Sequence, residues 1–304
     1  MKILVTGGTG MVGSAFKNVE SHHKIRLVGT NDCDLTDQVE TNNLFRIEKP
    51  DAIIHLAARV GGVKGNSDYV ADFFCENIKI NTNVLEAAKN HSISRVVSLL
   101  STCIYPDKVT YPLTENKIHE GEPHESNFGY AYAKRMLEVH SRAIRRQYGL
   151  KYISAVPNNI YGPNDNFDLE KGHVVPAIIR KLQENNNPTL WGDGSALREF
   201  TYAGDIARAL LLLLENYEGE KPINIGNTHE VSIKELARKI AFYFPNIRQV
   251  KWDISKPKGQ YKKPSSNKNF VEMFPGFRYT SLDDGLKYTV EWFKDKYPNV
   301  RGVK

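Results

Sequence analysis

The spacing Gly7-x-x-Gly10-x-x-Gly13 falls between an apolar run, Lys2–Thr6, and a stretch with helical periodicity. Few folds accept that order. Strand, tight turn and helix form the opening unit of a parallel α/β sheet that holds a dinucleotide. The glycines permit the sharp turn and let a pyrophosphate approach the helix N-terminus, where free N–H groups and the dipole favour an anion. Gly7, Gly8, Thr9, Gly10, Met11, Val12 and Gly13 are therefore the expected cradle. A glycine triplet alone is a weak signal, and its place between strand and helix gives it weight.

Further apolar, β-rich runs at Ile25–Gly29, Ala52–Ala58, Val96–Ser101 and Tyr152–Val156 alternate with helical patterns at Asn77–Ala88 and Tyr130–Arg145. Continuous apolar strands between helices indicate a sheet covered on both faces. The expected fold class is α/β: a Rossmann-like doubly wound parallel sheet with a smaller α/β substrate-binding lobe. A chain of 304 residues, 40% hydrophobic, suffices for both. The expected division gives residues 1–160 to the dinucleotide domain, with 203–226 returning to it. Residues 161–202 and 227–304 form the lobe. Within the second half, Asn158–Gly192 is rich in Asn, Pro and Gly, Ile206–Asn216 is helical, and Ile223–Gly226 is a short strand. Ser232 caps a helix running to Tyr243, with Glu235 three residues on. Lys256–Ser266 reads as a polar, basic loop, and Trp292 and Phe293 as core anchors on a last helix.

Ser101 ends an apolar strand, and Tyr130 and Lys134 stand one helical turn apart on one face. An ammonium so placed lowers a phenol from ~10 toward neutrality, and the Ser hydroxyl holds a carbonyl oxygen. Tyr-x-x-x-Lys is common by itself. Together with the glycine turn it points to nicotinamide-dependent carbonyl chemistry. The second strand ends Leu27-Val28-Gly29-Thr30-Asn31, without the acid that would take the ribose hydroxyls of NAD, although Asp32 follows soon after. The reading is NADP. Asp34 and Leu35 are expected by the adenine, and Leu56, Ala57 and Ala58 against the cofactor. The plainer role for Asp34 is a cap for a helix at Thr36–Phe45.

Several function classes fall away. Net charge is +6 with pI near 9.0, but Lys and Arg are spread along the chain apart from a cluster at Lys256, Lys258, Lys262 and Lys263. No nucleic-acid motif accompanies it, and anionic small molecules are the better partners. The longest apolar run, Ala209–Leu214, is too short for a bilayer. No secretory signal is read ahead of the first strand, and Cys33, Cys75 and Cys103 make no disulfide framework, so a cytoplasmic setting is expected. His22, His23, His91 and His140 have no Cys, Asp or Glu at ligand spacing, so no metal site is expected, and His55 is given no chemistry. Cys103 alone would read as a small buried hydrophobe, and His173 alone as a helix-start or surface histidine.

Beyond the glycine turn and the Ser, Tyr and Lys, four stretches narrow the reading. They are Ser101-Thr102-Cys103-Ile104-Tyr105-Pro106, Pro157–Phe167, Gly172-His173-Val174-Val175-Pro176 and Trp191–Phe200. The chain resembles the extended short-chain dehydrogenase/reductase family over nearly its whole length. Within that family it is most similar to enzymes that epimerise and reduce GDP-4-keto-6-deoxy-D-mannose. The resemblance implies a GDP-sugar substrate and NADPH. It makes Cys103 the base and His173 the acid that invert C3 and C5. Tyr130 then protonates the C4 oxygen, Lys134 tunes Tyr130 and holds the nicotinamide ribose, and Ser101 binds the C4 oxygen. It adds Pro157, Asn158, Asn159, Ile160 and His173 to the cofactor contacts, and gives Asn159, Lys181, Trp191, Arg198 and Lys258 to the substrate. Lys181 stands where bacterial relatives carry Arg, and Lys258 where an acid is usual, which unsettles the nucleotide-base contact. The resemblance also implies a homodimer through a four-helix bundle of the helix ending near Ala88 and the Tyr130–Arg145 helix. The rival readings are another sugar-nucleotide epimerase or reductase, which would not need Cys103 and His173, and a non-catalytic dinucleotide sensor, which would not need Tyr130.

Overall fold

In the computed structural model, which describes residues 1–255 and 261–303, the first half runs β1 (Lys2–Thr6), α1 (Met11–Ala15), β2 (Lys24–Val28), α2 (Gln38–Glu48), β3 (Ala52–His55), α3 (Val63–Asp68), α4 (Val70–Asn90), β4 (Arg95–Leu99), α5 (Phe128–Tyr148) and β5 (Lys151–Val156). The second half adds β6 (Asn159–Tyr161), α6 (Val174–Glu184), β7 (Thr189–Trp191), β8 (Leu197–Tyr202), α7 (Ala203–Asn216), β9 (Ile223–Asn224), β10 (Glu230–Ser232), α8 (Ile233–Ala241), β11 (Lys251–Asp253), α9 (Lys268–Met273) and α10 (Leu282–Lys296).

Strand alternation builds the central layer. Ile3 and Val5 of β1, Ala52 and Ile54 of β3, Val97 and Leu99 of β4 and Ile153 and Ala155 of β5 point to one face, where Leu210, Leu213 and Leu214 of α7 cover them. Leu4, Ile53, Val96 and Tyr152 point to the other, under Val84, Leu85 and Ala88 of α4 and Leu137 and Ile144 of α5. Each such fully buried Leu or Ile contributes about 1.5–3 kcal/mol. The sheet order is β2-β1-β3-β4-β5-β9, with every pair parallel. Order reverses between β1 and β3, so the crevice beyond their carboxyl ends is where such a sheet binds ligand.

A second body carries its own core of Phe167, Val175, Ile179, Leu190, Leu236, Ile240, Val290 and Phe293. Phe293 is fully buried there, and Trp292 stacks on Phe167 with centroids 6.2 Å apart. A small sheet ordered β10-β8-β6 runs along it, and β6 leads straight out of β5.

Some boundaries differ from the sequence reading. Strand β3 stops at His55, and β4 at Leu99, leaving Ser101 in the loop beyond. Helix α2 is capped by Asp37, whose carboxylate accepts from Glu40 N, and Asp34 instead bonds Thr36. Phe270 on α9, with Phe274, Phe277 and Tyr279 after it, packs into the core of the large sheet, although everything past 227 was expected in the lobe. Local spacing could not reveal that return. Nor could it bring Glu215, at the end of α7, within 2.6 Å of His23 Nε2, with the His22 ring tilted against it at 3.9 Å between centroids. The sequence reading gave these histidines no acidic neighbour, and the fold supplies one from far along the chain. Among the described residues, no helix is long and apolar enough to cross a membrane.

His55 is buried at the end of β3, its Nδ1 2.8 Å from Thr6 Oγ1 and its Nε2 3.1 Å from Asn81 Oδ1. Burial and the Lys134 charge push its imidazole down to about 3. The fold therefore holds the neutral ring, and its contribution is full above the unfolded value near ~6.5. As pH falls toward 3, stability drops by about 1.4 kcal/mol per unit. Urea unfolding at pH 7, 5.5 and 4.5 reads this slope. A His55→Gln variant should lose that part of it, and an unchanged slope would contradict the assignment.

Candidate active site

The first turn is shaped by close backbone contact. Gly7 sits at φ +69°, and a Cβ there would lie 2.8 Å from Ala57 N. A Cβ on Gly13 would stand 2.3 Å from Gly7 O, so α1 packs on the turn only because that residue has no side chain. Gly8 N donates to Val28 O and Gly10 N to Gly7 O, fixing the loop between β1 and β2. Gly10 caps α1 with no side-chain bond, which leaves the N–H groups of the first turn to a ligand. These features fit a pyrophosphate.

The end of β2 offers no free acid to a ribose. Asp32 accepts from Gly29 N at 2.8 Å and pairs with Arg26 at 2.9 Å, and those bonds hold its carboxylate below the usual range. Asp34 is exposed and bonded to Thr36, while Leu35 is buried. Leu56 N and Ala57 N are tied to Thr6, which draws the chain after β3 against the glycine turn.

Beyond β4 the chain turns through Thr102–Ile104, a short 3-10 turn capped by Ser101, whose Oγ accepts from Cys103 N at 3.4 Å. Helix α5 holds this turn from two sides. Lys134 Nζ donates to Leu99 O at 2.8 Å, and Arg135 Nε donates to Ile104 O at 2.7 Å. The carbonyls flanking Ser101 and Cys103 are thus anchored to the helix that carries Tyr130. Arg135 had no role in the sequence reading, because nothing in its spacing announces a bond to a loop carbonyl.

The electrostatics correct one expectation. Lys134 is buried and its ammonium, drawn down to about 8 by burial, bonds Leu99 O and lies 5.9 Å above the Tyr130 ring. Tyr130 is accordingly not made acidic. Burial and the nearby Cys103 thiol push its phenol up. The neutral phenol is the form a proton donor needs. The Cys103 thiol is also pushed up by burial, while Ser101, Lys263 and Lys134 pull it down. The expected positive charges are therefore present, but burial outweighs them.

Lys263 is the second residue that spacing missed, appearing in the sequence only as one of a basic cluster. It lies in a strap stitched across the two bodies. Pro264 O accepts from Leu113 N, and Ser265 N donates to the buried Glu199 Oε1 at 2.9 Å. Tyr261 O accepts from Leu197 N.

Asn159 donates to Glu199 O at 2.7 Å, and the buried Asn158 is fully engaged with Glu199, Asn227 and Thr201. Pro157 is buried, and Ile160 is half-buried on β6. Arg198, held by Leu197 O and Tyr261 O, lies close enough to Lys263 for their charges to interact. Trp191 is 58% exposed, with Lys181 Nζ 5.6 Å over its ring. Lys181 also donates to Thr189 O. Lys258 lies outside the described residues. His173 is the exposed N-cap residue of α6, and desolvation by the atoms packed around its ring, with the charge of Arg301, lowers its imidazole.

Comparison with known proteins agrees with this geometry. Residues 3–226 match the NAD dependent epimerase/dehydratase family. The chain is 43% identical to the GDP-L-fucose synthase of Dictyostelium discoideum, over 98% of this chain and 97% of that one. It is 32% identical to the GDP-L-fucose synthase of Escherichia coli, over 99% of each. A GDP-L-fucose synthetase from Naegleria fowleri, solved bound to NADP, superposes with a TM-score of 0.92 at 38% identity, covering 99% of this chain and 94% of that one.

Gly13→Ala forces α1 off the turn. NADPH affinity, read by quenching of protein fluorescence, should fall at least about tenfold, since a ~1.4 kcal/mol loss already gives that factor. Wild-type affinity in this variant would refute the cradle.

Proposed function

The chain belongs to the NAD dependent epimerase/dehydratase family and, within it, to the GDP-L-fucose synthases; on that footing we propose how its own residues carry out the reaction. The protein is an NADP-dependent epimerase/reductase that makes GDP-L-fucose from GDP-4-keto-6-deoxy-D-mannose. The observation that carries the residue assignment is the thiol of Cys103, two residues from Ser101, whose Oγ accepts its N–H, and close enough to Tyr130 and Lys134 for their charges to interact. A simple ketone reductase has no use for a thiol there.

The C4 ketone of the substrate makes the protons at C3 and C5 acidic. Cys103 removes each proton, and His173 returns one on the opposite face. Loss of the thiol proton is assisted by the Lys263 and Lys134 charges and by the Ser101 hydroxyl. Ser101 donates a hydrogen bond to the C4 oxygen as negative charge gathers on it. NADPH, when bound, supplies the hydride that reduces C4. Tyr130 delivers its phenolic proton to the C4 oxygen, and Lys134 stays charged beside it and holds the ribose. Arg198 binds the substrate diphosphate, a task its guanidinium fits by pairing with two oxygens. Trp191 and Lys181 line the sugar-nucleotide side, and Asn159 faces both ligands.

The enzyme works as a cytoplasmic homodimer through α4 and α5. Phe128, Tyr132 and Met136 form an i, i+4, i+8 stripe on α5, with Phe128 and Met136 exposed, and Phe74 is exposed on α4. Apolar stripes of this kind on long helices mark an association face. Met136→Glu should yield a monomer by light scattering, and an unchanged mass for a wild-type dimer would count against this face.

Cys103→Ser should cut solvent-deuterium exchange at C3 and C5 by about 10²–10⁴-fold while NADPH still binds. Tyr130→Phe should abolish reduction and leave that exchange measurable by NMR. Equal loss of both activities in both variants would overturn the division of labour.

A further inference from the structure

Glu199 is a carboxylate buried without a cation. It is 3% exposed on β8, and among the described residues its oxygens meet only uncharged donors. Oε1 accepts Ser265 N at 2.9 Å. Oε2 accepts Ser265 Oγ at 2.5 Å and Asn158 Nδ2 at 3.1 Å. Glu230 stands directly across the β10–β8 pair, and a like charge there adds to the cost of a buried carboxylate. The donors cannot be turned round. Asn227 N donates to Thr201 Oγ1 and Thr201 Oγ1 to Asn158 Oδ1, which leaves the Asn158 N–H facing Glu199. Three donors thus converge on a group that must only accept.

Ser265 belongs to the strap, residues 261–266, and Glu199 is one of its seats. Another lies beside the large sheet. Leu113 N donates to Pro264 O, and Ser266 N donates to Leu113 O. Asn224 Nδ2 donates to Leu113 O at 3.0 Å and to Ser266 O at 2.9 Å. Asn224 Oδ1 accepts the hydroxyl of Tyr105 at 2.7 Å, two residues past Cys103. At its start the strap meets the substrate side. Tyr261 O accepts Leu197 N at 2.8 Å and Arg198 Nη1 at 3.4 Å, and Leu197 O accepts the same Nη1 at 2.6 Å. Neighbours on β8 therefore grip the strap at two points, Arg198 at Tyr261 and Glu199 at Ser265.

We propose that Glu199 is a positioning residue for the substrate diphosphate: it clasps the strap at Ser265, and the strap, through Tyr261 O, sets the angle of the Arg198 guanidinium. This role rests on the reading of Arg198 as the group that binds the diphosphate. A planar guanidinium pairs with two phosphate oxygens only when its fork is correctly turned, so a carbonyl that orients one of its nitrogens governs affinity. A neutral amide in place of Glu199 accepts through one oxygen and turns its N–H groups on other donors, which releases Ser265 and with it the strap.

The test uses the full chain, with GDP as the probe. Hydrogen exchange of the Ser265 and Ser266 amides, followed by NMR, reports the strap. In Glu199→Gln both amides should exchange about tenfold faster, and GDP affinity should fall about tenfold while NADPH affinity holds. In turnover, KM for the GDP-sugar should rise by a similar factor, with a smaller change in kcat. Ser265→Ala keeps the backbone bond and should shift each quantity the same way by about two- to threefold. The double variant should be no weaker than Glu199→Gln alone, because the two residues act through one contact. A merely structural glutamate would instead lower melting temperature, NADPH affinity and kcat together. Wild-type strap exchange or wild-type GDP affinity in Glu199→Gln would overturn the proposal. Should that variant not fold, Ser265→Ala decides on the same two readouts. If the wild type itself bound no GDP, the reading of Arg198 would fail, and strap exchange would still show whether Glu199 seats the strap.

Discussion

A single hydrogen bond, from the buried Lys134 ammonium to Leu99 O, joins the sheet to the chemistry. It fixes where β4 ends relative to α5, and so where Ser101 stands relative to Tyr130. Arg135 repeats the device one residue on, at Ile104 O. Between these two anchors the turn has little freedom, and Cys103 is held in it. Burying Lys134 also lowers its affinity for the proton, and its charge adds to the burial that keeps His55 neutral. One cation thereby sets strand end, helix face and local field together.

Burial is the opposing force at this site. It raises the Cys103 thiol and the Tyr130 phenol and lowers the His173 imidazole, so each group favours its neutral form. For Tyr130 that is the donor form. For Cys103 it means that Lys263 and Lys134 must offset desolvation before the thiol acts as a base. The strap carrying Lys263 is bonded both to Leu113 beside the large sheet and to Glu199 in the lobe, so the position of the second body bears on the reactivity of a group in the first.

Much of this was legible in the sequence, for identifiable reasons. The glycine turn could be read because its constraint is local: three glycines between a strand and a helix. Tyr130 and Lys134 could be read because helical spacing puts them on one face. Ser101 could be read from its place at the end of an apolar strand, whereas Cys103 and His173 came from motif resemblance, since nothing in their spacing brings them together. The misses share a physical origin. Lys263 acts across segments far apart in the chain, and Arg135 through a carbonyl that no side-chain pattern discloses. The expectation of a lowered Tyr130 runs against burial: desolvation and the Cys103 thiol push the phenol up, although Lys134 stands over its ring where helical spacing puts it. The reading of Asp34 as a helix cap does not hold, and the structure gives that role to Asp37, directly ahead of α2.

The central claim is that one cleft both inverts two carbons and reduces a third. It is tested most directly by incubating the purified protein with GDP-4-keto-6-deoxy-D-mannose and NADPH, following absorbance at the nicotinamide band and identifying the sugar by NMR. The account predicts NADPH oxidation with GDP-L-fucose as the product. Oxidation that leaves C3 and C5 uninverted would contradict it, reducing the protein to a 4-reductase and removing Cys103 and His173 from the chemistry.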